Sequence, residues 1–206
     1  MANFDLHTVM QHLAQRRPVL RPRGDFDQSL AVEIQRRYPE ASVQQIAPLG
    51  GRWEVLDVML GSERICVKPR YHTAELHCTV NGETFELKKQ AAQNLEQYDV
   101  LRDLMRLEQL VQQGEFAHGY VILLTNDARF WQPPVRTYTR DANFRQHEGR
   151  VLEGTLRWSE QTGAGTMKGR EEPIVLKGSY LCQWRHYFSL TPPRRNGEFR
   201  YLLLQV

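Results

Sequence analysis

LDVMLGSERICVKPRYHT, residues 56–73, holds two β-prone runs on either side of a Gly61–Ser62 turn. Alternate side chains of a strand share a face, so Asp57 lies with Val55 and Met59, while Cys66, Lys68 and Arg70 share one face of the following strand. A carboxylate and two cations therefore stand on neighbouring strands of one hairpin. With residues 42–48 ahead of Gly50 and Gly51, the runs 42–48, 53–60 and 64–71 predict a three-stranded meander.

On the N-terminal side, the first 38 residues predict two helices separated by RPVLRPRG. Asp25 is the expected N-cap of the second, whose Phe26, Leu30, Ile34 and Tyr38 form one apolar stripe. On the C-terminal side, runs 76–80 and 84–87 flank Asn81–Gly82, the strongest short-range hairpin signal. From 87 to about 113 no Gly or Pro interrupts a stripe of Ala91, Leu95, Tyr98, Leu101, Leu104, Met105, Leu107 and Val111, which predicts the longest helix. GYVILLT, residues 119–125, is a continuous apolar run of the kind a strand buried on both faces shows. Beyond NDARFWQPP the chain reads as β: a strand over 151–158, the loop TGAGTMKGREEP, a short strand at 174–177, and a long aromatic strand over 180–190. A turn at 194–197 then leads into 199–206. The expectation is one α/β core over 1–135 with a basic β-rich extension over 136–206 packed on it as a single globular unit.

Composition narrows the classes. Hydrophobic residues make up 41% and charged residues 25% of 206, which excludes a disordered or disulfide-scaffold chain. The longest apolar runs fall far short of the roughly 20 residues that cross a bilayer, and MANFDLHTVMQHLAQRR has neither a basic n-region nor a cleavage site, so a cytoplasmic protein with no membrane partner is expected. Three cysteines without a CxxC pair argue for reduced thiols and against zinc. The net charge of +3 is unevenly spread: 7 basic against 5 acidic residues over 1–52, 8 against 12 over 53–135, and 12 against 7 over 136–206. All but 5 of the 27 basic residues are arginine, whose planar fork suits phosphate oxygens. Nucleic acid is thus one explanation of the bias, and a GC-rich genome is another.

The hairpin at 56–73 resembles the core of the PD-(D/E)XK nuclease superfamily, and AAQNLEQYDVLRDLMRLEQLV, GYVILLTNDARFW, GTMKGRE and FRYLLLQV are similar to a branch of uncharacterised bacterial proteins within it. The resemblance spans roughly residues 17–206. It implies a restriction-endonuclease-like mixed central sheet flanked by helices, with an appended C-terminal antiparallel β subdomain. It also implies an aspartate on one strand and Glu-x-Lys on its neighbour, the carboxylates holding Mg²⁺ and the lysine orienting water. Asp57 matches the aspartate. In one alignment Lys68 stands where the second carboxylate belongs and Arg70 where the lysine belongs; in another Lys68 is the lysine, Cys66 replaces the glutamate and Pro69 is inserted. Neither supplies the acid. Arg23 and Asn94 also stand where relatives carry carboxylates.

An ammonium in place of a carboxylate removes a ligand and repels the ion, so a degenerate site is expected, with Lys68 paired to Asp57 in place of the metal. The alternative is an active Mg²⁺-dependent endonuclease in which Glu33, or else Glu54 or Glu63, joins Asp57 at the metal. A non-catalytic partner, in a homodimer or a heterodimer with a related nuclease, is the third class. Nucleic acid, DNA in preference to RNA, would meet Lys168 and Arg170 of the Gly-rich loop and Arg185, Arg194 and Arg195 of the β-ribbon. The same loop also reads as a flexible connector, and Trp184 and Tyr187 as ordinary strand packing. Asp99, Asp103, Arg106 and Glu108 read as surface neighbours on the long helix, and Gln90 and Asn94 as residues backing the site.

Overall fold

In the computed structural model, which describes every residue except 1–3, 23, 52, 91 and 137, the chain opens with helices α1 (Leu6–Arg16) and α2 (Asp25–Arg37). Arg23 and Ala91 thus lie outside the described residues. Asp5 caps α1 by accepting from the His7 and Thr8 amides, and Leu6, Val9, Met10 and Leu13 bury one stripe. Gly24, at φ 86°, sits ahead of α2, and Asp25 is the first helical residue instead of the cap. Its carboxylate accepts from the Arg21 amide at 2.7 Å and from the Arg17 guanidinium.

The meander follows as β1 (Ser42–Ile46), β2 (Val55–Leu60) and β3 (Glu63–His72), then a hairpin of β4 (Leu76–Val80) and β5 (Glu83–Leu87), whose Asn81 and Gly82 both have positive φ as a type I′ turn requires. Helix α3 (Gln93–Gln112) leads to β6 (His118–Thr125). The last part holds β7 (Val151–Leu156), the four-residue α4 (Ala164–Met167), β8 (Ile174–Leu181), β9 (Trp184–Ser189) and β10 (Glu198–Gln205). The central mixed sheet has the order β1-β2-β3-β6-β10-β9, antiparallel throughout except for the parallel β3–β6 pair.

Period-two alternation divides the core. Leu56, Val58, Ile65, Val67, Ile122 and Leu124 face α1 and α2, whereas Val55, Cys66, Val121, Leu123, Leu202 and Leu204 face α3. At Gly119 a side chain has no room: a Cβ there would sit 3.1 Å from the Leu107 Cβ of α3. Helix α3 is covered on its other side by the β7–β8 ribbon, so it is sandwiched between two sheets.

Two expectations are corrected here. The long aromatic strand is two strands, parted at the buried Cys182, whose backbone pairs with Gly149 and Arg150. Strand β8 goes with β7 onto α3, and β9 goes with β10 into the central sheet, so the C-terminal segment is no appended β subdomain: its last two strands complete the core sheet. The Gly-rich loop carries the short α4. Among the described residues, no helix is long and apolar enough to cross a membrane.

Candidate functional site

Strand β2 leaves β3 early. Their register runs from Leu60–Glu63 to Leu56–Val67, while β3 continues to His72 paired with β6 alone. Where β2 departs, the start of α2 and the first turns of α3 close around the freed edge of β3, forming a cleft of about 260 Å³ lined by Asp27, Lys68, Arg70 and Glu96. Glu54, just ahead of β2, lies next to Lys68: its carbonyl accepts from Lys68 Nζ at 2.6 Å.

Arg70 is the best-held group in the cleft. Its Nε donates to Asp103 Oδ2 at 2.6 Å and its Nη1 to Glu96 Oε1 at 2.9 Å. Asp103 is 0% exposed and also accepts from the indole N–H of Trp53 at 2.7 Å, with Arg106 3.6 Å away. Burial pulls the Arg70 pKa down, but the Asp103 and Glu96 carboxylates outweigh it and the net shift is upward. Burial lowers the Lys68 pKa against the opposing pull of Asp103, and burial raises that of Asp27 against Lys68 and Arg70. The cleft is therefore a compact mixture of acids and bases already neutralising one another.

Several expected contacts are replaced. Asp57 does not pair with Lys68; it takes a bidentate fork from Arg64, with Nε at 3.0 Å and Nη2 at 2.8 Å, and Arg64 lies over the Phe116 ring. Opposite Asp57 stands Cys66, so Arg64 and Lys68 occupy its two diagonal positions, and the planar fork wins over a lysine already bound to the Glu54 carbonyl. The charge of Asp57 and burial together push the Cys66 thiol up to about 12, burial being the larger cause. Glu33 is 2% exposed but faces α1, with Arg16 Nε at 3.3 Å and Arg36 Nη1 at 3.6 Å; it does not join Asp57. Glu63 pairs with Leu60 at the hairpin turn, away from the cleft.

The acids of α3 are likewise no surface neighbours. Asp99, Asp103 and Glu108 are all buried: β8 and the loop ahead of it cover Asp99 and Glu108, and Trp53 and Arg70 of β3 cover Asp103. Glu108 accepts from the Lys177 and Gly178 amides and the Tyr180 hydroxyl. Asp99 accepts a bidentate fork from Arg170 at 2.9 and 2.7 Å, so Arg170 is tied to α3 and not offered to a ligand. Lys168 is exposed and makes no ion pair among the described residues. Arg185 is exposed on the edge strand β9. Arg194 and Arg195, exposed in the β9–β10 turn, face Lys88 and Lys89 across a cleft of about 880 Å³ that also holds Glu75 and Glu86. Trp184 and Tyr187 are buried strand packing; the Tyr187 hydroxyl donates to the Arg17 carbonyl at 2.7 Å.

Sequence reasoning missed Asp27, Glu96, Asp103 and Trp53. A tryptophan whose indole N–H needs a partner was the one signal for Asp103, but that partner lies 50 residues away. Mg²⁺ demands near-octahedral oxygen ligands. The acids do not fit it: Asp57 is bound by Arg64, Glu33 by Arg16 and Arg36, and Glu96 and Asp103 by Arg70. Among the described residues, no three acidic, histidine or cysteine side chains converge as a metal-binding group. Neither a family model, nor a curated protein, nor a solved structure matches the chain.

Proposed function

We propose that this chain is a protein of the PD-(D/E)XK nuclease type that binds nucleic acid through its arginine-rich surface and does not cut it. The order helix, antiparallel meander, helix, parallel strand, with a cleft where β2 leaves β3, supports the restriction-endonuclease-like reading of the α/β sheet. The observation that carries the loss of chemistry is Arg70: a built-in guanidinium bridges Asp103 and Glu96 in the cleft where the superfamily gathers carboxylates around an ion. Cations exposed at a separate cleft, Arg194, Arg195, Lys88 and Lys89, supply a surface for a phosphate backbone. Calorimetry with Mg²⁺ and Mn²⁺ is expected to give no binding heat. Affinity for nucleic acid is expected to fall linearly in log–log form with salt. Metal-dependent strand cleavage, or no nucleic-acid affinity at low salt, overturns the reading.

The active-endonuclease reading has one observation of its own. Asp27 lines the cleft beside Lys68, so this acid, in place of Glu33, is the relocated ligand such an enzyme would use. Its mark is metal-dependent cleavage abolished by Asp27→Asn.

A further inference from the structure

A third cleft, of about 900 Å³, opens between the first turn of α3, the segment 138–143 and the loop from β7 to α4. The proposed function leaves it unassigned. Tyr138 stands at its rim 97% exposed, so both faces of the ring are open to a ligand. The walls carry Arg140 and Arg157, neither of which makes an ion pair among the described residues. Both are anchored through their carbonyls, with the Ser159 amide donating to Arg140 and the Asn143 amide group to Arg157, each at 3.0 Å. Of the two acids present, Asp141 has Arg145 at 3.8 Å, which leaves Glu160 against two unpaired guanidiniums. Asn94 and Gln161 add amide groups that both donate and accept.

An open aromatic ring, unpaired arginines and free amides in one concave surface match the chemistry of unpaired nucleotides. Each base offers a π-face to stack and a hydrogen-bonding edge to read, and each phosphate a charge. A duplex hides the faces and the Watson–Crick edges. The volume, near the top of the roughly 300–1,000 Å³ of ligand pockets, has room for about two nucleotides. The chain also runs from Lys88 and Lys89 of the basic cleft directly into Asn94 of this one. Resting on the reading that the protein binds nucleic acid, we infer that this cleft is a binding site for single-stranded nucleic acid. A base stacks on Tyr138, and Arg140 and Arg157 carry the phosphates.

The test is fluorescence anisotropy on the full chain with labelled oligothymidylate, oligouridylate and a blunt duplex at matched salt. Single strands are expected to bind more tightly than the duplex, and the two single-stranded arms separate DNA from RNA. Tyr138→Ala is expected to weaken single-strand affinity roughly tenfold, with Tyr138→Trp restoring it and duplex affinity unmoved. Arg140→Gln and Arg157→Gln are each expected to lower the salt slope by about 1. Because Tyr138 is almost wholly exposed, its variants test contact and not folding. Duplex preference, or single-strand affinity untouched by Tyr138→Ala, overturns this site alone. Failure of the wild type to bind any of the three probes overturns the nucleic-acid reading beneath it.

Discussion

Asp103 is the residue on which the cleft turns. It is fully buried, and its two oxygens take the Trp53 indole and the Arg70 guanidinium, so truncation takes the acceptor from both donors. Asp103→Ala is expected to cost about 3 kcal/mol or more, read as a lower urea midpoint at unchanged m-value. Asp27 gives the pH dependence. Burial raises its carboxyl pKa when folded, so between the ordinary value of 3.8 and the raised one the folded state holds more protons than the unfolded state. Its contribution to stability is therefore fully present below 3.8 and is lost as pH rises through the raised folded value. Asp27→Asn is expected to stabilise the protein relative to wild type above that window and to leave stability unchanged well below it. Unfolding free energies measured across acid to neutral pH check the sign. The hairpin residues show how far a sequence reading reaches at this scale. Strand alternation correctly put Lys68 and Arg70 on one face, yet it could not choose between Arg64 and Lys68 for Asp57, since both stand diagonal to it.

Among the elements, α3 departs furthest from its pattern. Its apolar stripe was plain, but Asp99, Asp103 and Glu108 read as solvent-facing because helical periodicity knows only one buried face. The ribbon of β7 and β8 supplies a second, and each acid is satisfied by it, by the loop ahead of β8 or by β3: Glu108 by two β8 amides and Tyr180, Asp99 by Arg170 of that loop, Asp103 by Arg70. Glu108→Ala leaves three donors without an acceptor. We expect it to detach the ribbon from α3 locally, with hydrogen exchange at the Lys177 and Gly178 amides accelerated well beyond that of β6 amides. Equal exchange at all these amides in variant and wild type would remove Glu108 from that role. The hairpin β4–β5, by contrast, was legible to within one residue, because Asn81–Gly82 encodes its turn without help from the rest of the chain.

For the whole molecule, the C-terminal strands matter most. Strand β10 pairs with β6 over six positions and β9 closes the far edge, so a chain ending at 135 leaves the most buried strand with an open, apolar edge. Residues 1–135 alone are expected to show no cooperative unfolding transition by circular dichroism, whereas the full chain should show one. A folded 1–135 fragment would restore the separate-core reading. The uneven charge belongs to this scale too. The basic excess over 136–206 was visible in composition, but Arg170 is consumed by Asp99, while Arg194, Arg195, Arg140 and Arg157 remain turned to solvent clefts.

The amino-acid sequence by itself determined the elements whose signals are local: the two leading helices, the meander, the Asn-Gly hairpin, the long helix and the buried central strand. Each is written in periodicities or turn residues spanning a few positions. Only the tertiary structure decided where β8 parts from β9, and which acids meet which bases. Those pairings join residues 26 to 72 apart in sequence: Arg70 to Glu96, Arg170 to Asp99, Tyr180 to Glu108. No local pattern encodes such partners, because packing chooses them: burying a carboxylate is tolerable only where the fold has also delivered its donor.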